Sequence, residues 1–169
     1  MKWTNKGKEY ENTISNVINN NLDVYIWGAG TFGKSFYDLF KSRINIKGYI
    51  DSDPKKQGDN IPVKVYSPDF FCENLLKENT KIIVASGWIT EIYKQLKKWG
   101  MRENENFFHA NEFISLYMLY KENKVYTISL NIPITTYCTL RCEKCMALTP
   151  YVKRPENRKI EDLKEEVQA

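Results

Sequence analysis

The feature that most constrains this chain is the turn Gly28-Ala29-Gly30-Thr31-Phe32-Gly33, set between an apolar run and an amphipathic one. Leu22 to Trp27 reads as a strand. Thr31 to about Ser42 reads as a helix, with Phe32, Phe36, Leu39 and Phe40 along one face. A G-x-G-x-x-G turn at that junction has a mechanical meaning. The first glycine permits the tight turn, the second lets a phosphate approach the backbone, and the third lets helix and strand pack closely.

The alternation continues. Ile46 to Ile50 is a second strand, Pro62 to Val65 a short third, Lys81 to Ala85 a buried fourth and Asn106 to His109 a brief fifth. Helices are expected at Asp69 to Glu78, Ile89 to Trp99 and Asn111 to Lys121. The first of these opens behind Ser67-Pro68, an N-cap followed by proline, and Gly100 stops the second. An earlier amphipathic helix, Lys8 to Asn20, carries Tyr10, Ile14, Val17 and Ile18. Strands separated by helices of about ten residues imply a parallel sheet with helices on both faces, an α/β doubly wound fold. The expected organisation is an N-terminal helix over 1–21, a nucleotide-binding domain over 22–121 and a distinct segment over 122–169.

Asp51 ends the second strand, about twenty residues beyond the glycine turn, where an acid that binds ribose is expected. Gly28, Gly30, Thr31, Gly33 and Asp51 are therefore the candidate cofactor-binding residues, for a nucleotide or nucleotide-sugar. A turn kept for geometry alone remains open, with Asp51 and Asp53 capping the loop before Pro54. Ser86-Gly87-Trp88 follows the fourth strand on the far side of the same crevice and could admit a ligand or simply start a helix. His109, a lone histidine, reads first as structural. Cys72, Trp88 and Trp99 read as core.

The third region opens with an expected strand from Lys124 to Ile132. It continues through Cys138-Thr139-Leu140-Arg141-Cys142-Glu143-Lys144-Cys145 to a charged helix from Ile160 to Val167. The chain has four cysteines and one histidine, so Cys138, Cys142 and Cys145 concentrate most of its metal-binding capacity. Three thiolates at this spacing can ligate three irons of a cluster and leave a fourth open. A structural zinc completed by Cys72, His109 or a partner is the alternative.

Two resemblances follow from these motifs. The arrangement from Ile26 to Pro68, with its glycine turn, Gly48-Tyr49-Ile50-Asp51-Ser52-Asp53-Pro54 and a Ser-Pro helix start, resembles the Rossmann-like N-terminal domains of sugar-modifying and polysaccharide-biosynthesis proteins. It implies a nucleotide-sugar or similar ligand. The cysteine loop behind a strand is similar to that of the radical S-adenosylmethionine superfamily. That resemblance implies a four-iron four-sulfur cluster on Cys138, Cys142 and Cys145, with S-adenosylmethionine on the open iron. It also implies cleavage to a 5′-deoxyadenosyl radical and an electron donor such as flavodoxin or ferredoxin. The residue before the third cysteine is usually aromatic in that family and here is Lys144. On this reading 122–169 begins a β/α barrel that continues beyond Ala169, and the given chain is inactive alone. The rival is a non-enzymatic nucleotide or nucleotide-sugar binding module with a structural zinc.

Composition narrows the setting. A net charge of +4, with acidic residues interspersed, gives no footprint for nucleic acid. No apolar h-region follows Met1, and no run of about 18 apolar residues exists, so neither a signal peptide nor a membrane span is expected. A cytoplasmic setting is expected, with reduced cysteines.

Overall fold

A computed structural model describes residues 5–19, 22–58, 63–126, 134–139, 142–143 and 151–168. The helices are α1 (Asn5–Asn19), α2 (Thr31–Phe40), α3 (Pro68–Asn74), α4 (Ile89–Lys98), α5 (Ala110–Glu122) and α6 (Ile160–Gln168). The strands are β1 (Val24–Trp27), β2 (Ile46–Ile50), β3 (Val65–Tyr66), β4 (Lys81–Val84) and β5 (Phe107–His109). The chain divides into two compact units, Met1–Ile128 and Ser129–Ala169.

In the first unit the five strands form one parallel sheet, ordered β3-β2-β1-β4-β5. This is the doubly wound order, in which the chain builds outward from β1 in one direction and then crosses to its other side. Val24, Tyr25, Ile26 and Trp27 of β1 pair with Lys81, Ile82, Ile83 and Val84 of β4. The β1–β2 register slips once, between Val24 and Tyr25.

Side chains alternate across a strand, so each strand feeds two cores. Val24, Ile26, Ile83 and Phe108 face one, with Ile14 and Val17 of α1, Phe36 and Phe40 of α2, and Phe113 and Tyr117 of α5. Tyr25, Trp27, Ile82, Val84 and Phe107 face the other, with Phe71 of α3 and Ile92 and Leu96 of α4. Helices therefore cover both faces, and the strands read as nearly continuous apolar runs for that reason. Aromatic rings fill much of both layers. Phe40 sits edge-on to Phe113 at 5.4 Å and to Tyr117 at 5.0 Å, and Trp27 stacks on Trp99 at 5.2 Å.

Caps behave as their chemistry requires. Ser67 Oγ accepts from Phe70 N–H at 3.3 Å, with Pro68 beginning α3. That helix stops at Asn74, short of the expected Glu78, although Leu75 and Leu76 are apolar. Leu75 and Leu76 instead both turn back by N–H bonds to the Phe71 carbonyl. Only Pro68 and Phe71 of α3 are buried, so Cys72 is half-buried and Phe70 lies 47% exposed, stacked on Tyr66 at 5.7 Å. The expectation of a core cysteine there is thus corrected, because the buried stripe of so short a helix is narrow.

In the second unit, Thr135 bridges Asn157 in antiparallel fashion. Thr136 N–H donates to the Glu156 carbonyl at 3.0 Å and Arg158 N–H to the Ile134 carbonyl at 2.9 Å. Cys138 and Cys142 thus lie in the chain between two stretches that are paired with each other. Helix α6 stands where the charged helix is expected. Of the expected strand Lys124 to Ile132, Lys124 to Tyr126 carry no strand and the rest lies outside the described residues. Among the described residues no helix is long and apolar enough to cross a membrane.

Candidate functional site

Strand β1 runs out at Trp27, and Gly28 turns the chain with φ +118°, a left-handed value that glycine adopts without strain. A Cβ at Gly28 would also overlap the Ala85 carbonyl oxygen at the end of β4. A Cβ at Gly33 would fall on the Gly28 carbonyl oxygen. These two glycines are thus demanded by the protein's own packing. Gly30 is different. It precedes α2 with φ −84°, which any residue adopts, and a Cβ there meets nothing within 4 Å. No side chain caps α2, so its first-turn N–H groups and the positive end of its dipole stand beside that space. Thr31, the first residue of α2, is exposed.

Asp51 sits one residue past β2, 8% exposed. Its Oδ2 accepts from Ala29 N–H at 2.8 Å and from Lys56 Nζ at 3.2 Å, and its Oδ1 accepts from Asp53 N–H at 3.0 Å. Burial opposes its charge, but the hydrogen bonds from Asp53, Ala29 and Lys56 outweigh burial and hold the carboxyl below the ordinary range. Asp51 therefore clamps the glycine turn to the loop after β2. Asp53 caps the short 3-10 turn Pro54–Lys56 through Oδ1, and its Oδ2 stands 3.9 Å from Lys56 Nζ.

A cavity of about 430 Å³ opens at the C-terminal ends of the strands. Its walls are Trp27 and Gly28 from β1, Asp51 to Asp53 and Lys56 from the loop after β2, and Ser86, Trp88, Glu91, Ile92 and Gln95 from the β4–α4 side. This is the crevice where the winding direction reverses, the usual ligand position in such sheets. Of the residues proposed from the sequence, Gly28 and Asp51 line it. Gly30, Thr31 and Gly33 are not among its walls, although they belong to the adjoining turn.

Trp88 corrects an expectation. It is 73% exposed and not core, because it is the residue before α4, with φ −88° and ψ 45°, outside the helical periodicity. Trp99 is half-buried against Trp27. His109 is half-buried, precedes α5, and does not line the cavity. Asp53, Glu91 and Gln95 were missed by motif reasoning. The available signal was the i to i+4 spacing of Glu91 and Gln95, which places two polar groups along one face of α4.

Cys138 and Cys142 are exposed, and no disulfide joins the described cysteines. Cys145 lies outside the described residues, as does Lys144. Among the described residues no three histidine, cysteine or carboxylate side chains converge as a metal site.

Comparison with known proteins places the first unit in a neighbourhood. Residues 23–90, less than half of the chain, match the PglD N-terminal domain. A similar solved structure is UDP-D-quinovosamine 4-dehydrogenase from Vibrio fischeri, 14% identical, with 84% of this chain and 97% of that chain covered and a TM-score of 0.43. No curated protein matches the chain.

Proposed function

We propose that the doubly wound unit binds a nucleotide-linked small molecule, with a nucleotide-sugar as the preferred class. The observation that carries this reading is Gly30. Neither its backbone angles nor its surroundings require glycine, yet the missing side chain leaves the N-terminus of α2 open beside a 430 Å³ cavity. A phosphate resting there meets free N–H groups and the helix dipole. The match of residues 23–90 to the PglD N-terminal domain supports the same reading. So does the resemblance of Ile26 to Pro68 to domains of sugar-modifying proteins. With Asp51 engaged in clamping the turn, Asp53 is the acid of the β2 loop better placed to accept from ligand hydroxyls.

Nucleotides and nucleotide-sugars at millimolar concentration are expected to raise the melting temperature. At ten times Kd the gain is about 1.4 kcal/mol, a rise of several degrees. Gly30→Val fills the open space and is expected to abolish that rise while leaving the melting temperature of the free protein nearly unchanged. No rise across a broad panel would leave the turn a purely structural one.

The cysteine loop supports a second reading, a radical S-adenosylmethionine cluster site that uses an electron donor such as flavodoxin or ferredoxin. It is favoured by the exposure of Cys138 and Cys142 on a loop whose base is tied by the Ile134–Thr136 and Glu156–Arg158 backbone bonds. Cys138, Cys142 and Cys145 would hold a four-iron cluster, whose chemistry is reductive cleavage of S-adenosylmethionine at its open iron. After anaerobic reconstitution, iron and sulfide analysis is expected to give four irons per chain. Alanine at Cys138, Cys142 or Cys145 is expected to remove most of the cluster absorbance, and Cys72→Ala to leave it intact. One zinc per chain in place of iron would assign the loop to the structural-metal alternative.

A further inference from the structure

Two tryptophans line the cavity, and they differ in what they offer. Trp27 is 3% exposed and stacked on Trp99, so its ring is committed to the core. Trp88 is 73% exposed, second only to Val125 among the large apolar side chains of the described residues. Its backbone is nonetheless fixed, since its N–H donates to Ser86 Oγ at 3.2 Å and its carbonyl accepts from Ile92 N–H at 3.1 Å. A Trp side chain can bury roughly 150–250 Å². Here most of that area faces solvent from a rigid anchor on a cavity wall.

The charges of the cavity decide which part of a nucleotide it suits. Asp51, Asp53 and Glu91 supply three carboxylates, and Lys56 the single ammonium. That ammonium already lies 3.2 Å from Asp51 and 3.9 Å from Asp53. Such walls repel a diphosphate and favour a neutral group rich in hydroxyls. The open space for phosphate is outside the cavity, at Gly30 and the start of α2. Gly28 belongs to both, as a cavity wall and as the first residue of the turn.

We propose that Trp88 is the platform on which the base of a nucleoside diphosphate stacks, with Asp53 and Glu91 accepting hydrogen bonds from the ribose. The inference rests on the nucleotide reading above and deepens it by fixing which end of the ligand enters the cavity. The base and ribose occupy the acidic pocket, and the diphosphate leads out past Gly28 to Gly30. Stacking on an aromatic side chain tolerates different bases because each has a π-face, so uracil and adenine both fit this role.

The test uses the whole chain with UDP, ADP, inorganic pyrophosphate and glucose 1-phosphate as probes, read by calorimetry and tryptophan emission. UDP or ADP is expected to bind and to quench emission that is missing in Trp88→Phe. Trp88→Ala is expected to weaken UDP or ADP by about tenfold or more, and Trp88→Phe by only a few-fold. Pyrophosphate binding is expected to be the same in all three proteins. An exposed side chain contributes little to folding, so all three should melt together. If UDP or ADP binds wild type and Trp88→Ala equally, the platform is overturned and the nucleotide reading stands. If glucose 1-phosphate quenches as strongly as UDP and loses as much in Trp88→Ala, the pocket takes the sugar end and the inference is again overturned. If neither nucleotide binds wild type, the nucleotide reading fails and the inference falls with it.

Discussion

Gly33→Ala is expected to lower the melting temperature by about 10 °C, a loss of about 3 kcal/mol. Alanine normally favours a helix by about 1 kcal/mol over glycine, so propensity alone predicts the opposite sign. Sterics decide the matter. The new Cβ lies on the Gly28 carbonyl oxygen, and the close fit of α2 against β1 must open to admit it. Neither backbone is free to yield, because Gly28 N–H is bound to the Ile50 carbonyl at 2.8 Å and Lys34 N–H to the Gly30 carbonyl at 3.0 Å. Gly30→Ala, three residues earlier, is the internal control and is expected to melt within a degree or two of wild type. Calorimetry on the pair is decisive, since equal melting of Gly33→Ala and wild type would contradict the described packing of the turn.

Asp51→Ala is the other change with a large expected effect. It strips the acceptor from the N–H groups of Ala29 and Asp53 and from the ammonium of Lys56. A buried donor left without its partner costs about 1–3 kcal/mol, so the combined loss is about 3 kcal/mol. The pH dependence has a definite sign. The carboxyl is held below its ordinary value of 3.8 in the folded protein, so the unfolded chain takes up the proton first as acid is added. The stabilisation from Asp51 is fully present above that value and is lost as pH falls through the lower folded value. Chemical denaturation across pH 7 to pH 2 should show the gap between wild type and Asp51→Asn narrowing below about pH 4. A gap that widens in acid would reverse the assignment.

Much of the fold was legible because local pattern and global packing agree. Strand β2 was read residue for residue from Ile46 to Ile50, and α4 begins at Ile89 as expected. Ser67 announced α3 through its hydroxyl, a signal carried by one residue and its neighbour. The misreadings share a cause. Leu75, Leu76 and Trp88 are apolar, and pattern reasoning assigns apolar residues to a helix face. Whether the helix extends that far is settled by backbone bonds, here from Leu75 and Leu76 to the Phe71 carbonyl. The site was legible to a similar depth. An acid at the end of β2 was foreseen at Asp51, but its engagement with Ala29 N–H was not. A backbone donor has no letter in the sequence. Glu91 and Gln95 belong to no motif and reach the cavity only because α4 crosses the sheet where it does. The spacing of Cys138, Cys142 and Cys145 was plain at once, since ligand spacing is a property of the chain itself.

The strand order also has a consequence for synthesis. β1 lies in the middle of the sheet, yet its second neighbour, β4, is far away in the chain. A nascent chain that has delivered α2, β2 and α3 holds β1 with one edge and part of both faces bare, and closes only when Lys81–Val84 arrives. Such an interval of unpaired central strand is the vulnerable stage of a parallel sheet, exposed to mispairing and to chaperones. The Asp51 clamp needs only β1 and the loop after β2, but the cavity also takes Ser86, Trp88, Glu91, Ile92 and Gln95 from the β4–α4 side. The cavity therefore closes only when β4 and α4 have arrived, with β5 and α5 still to follow.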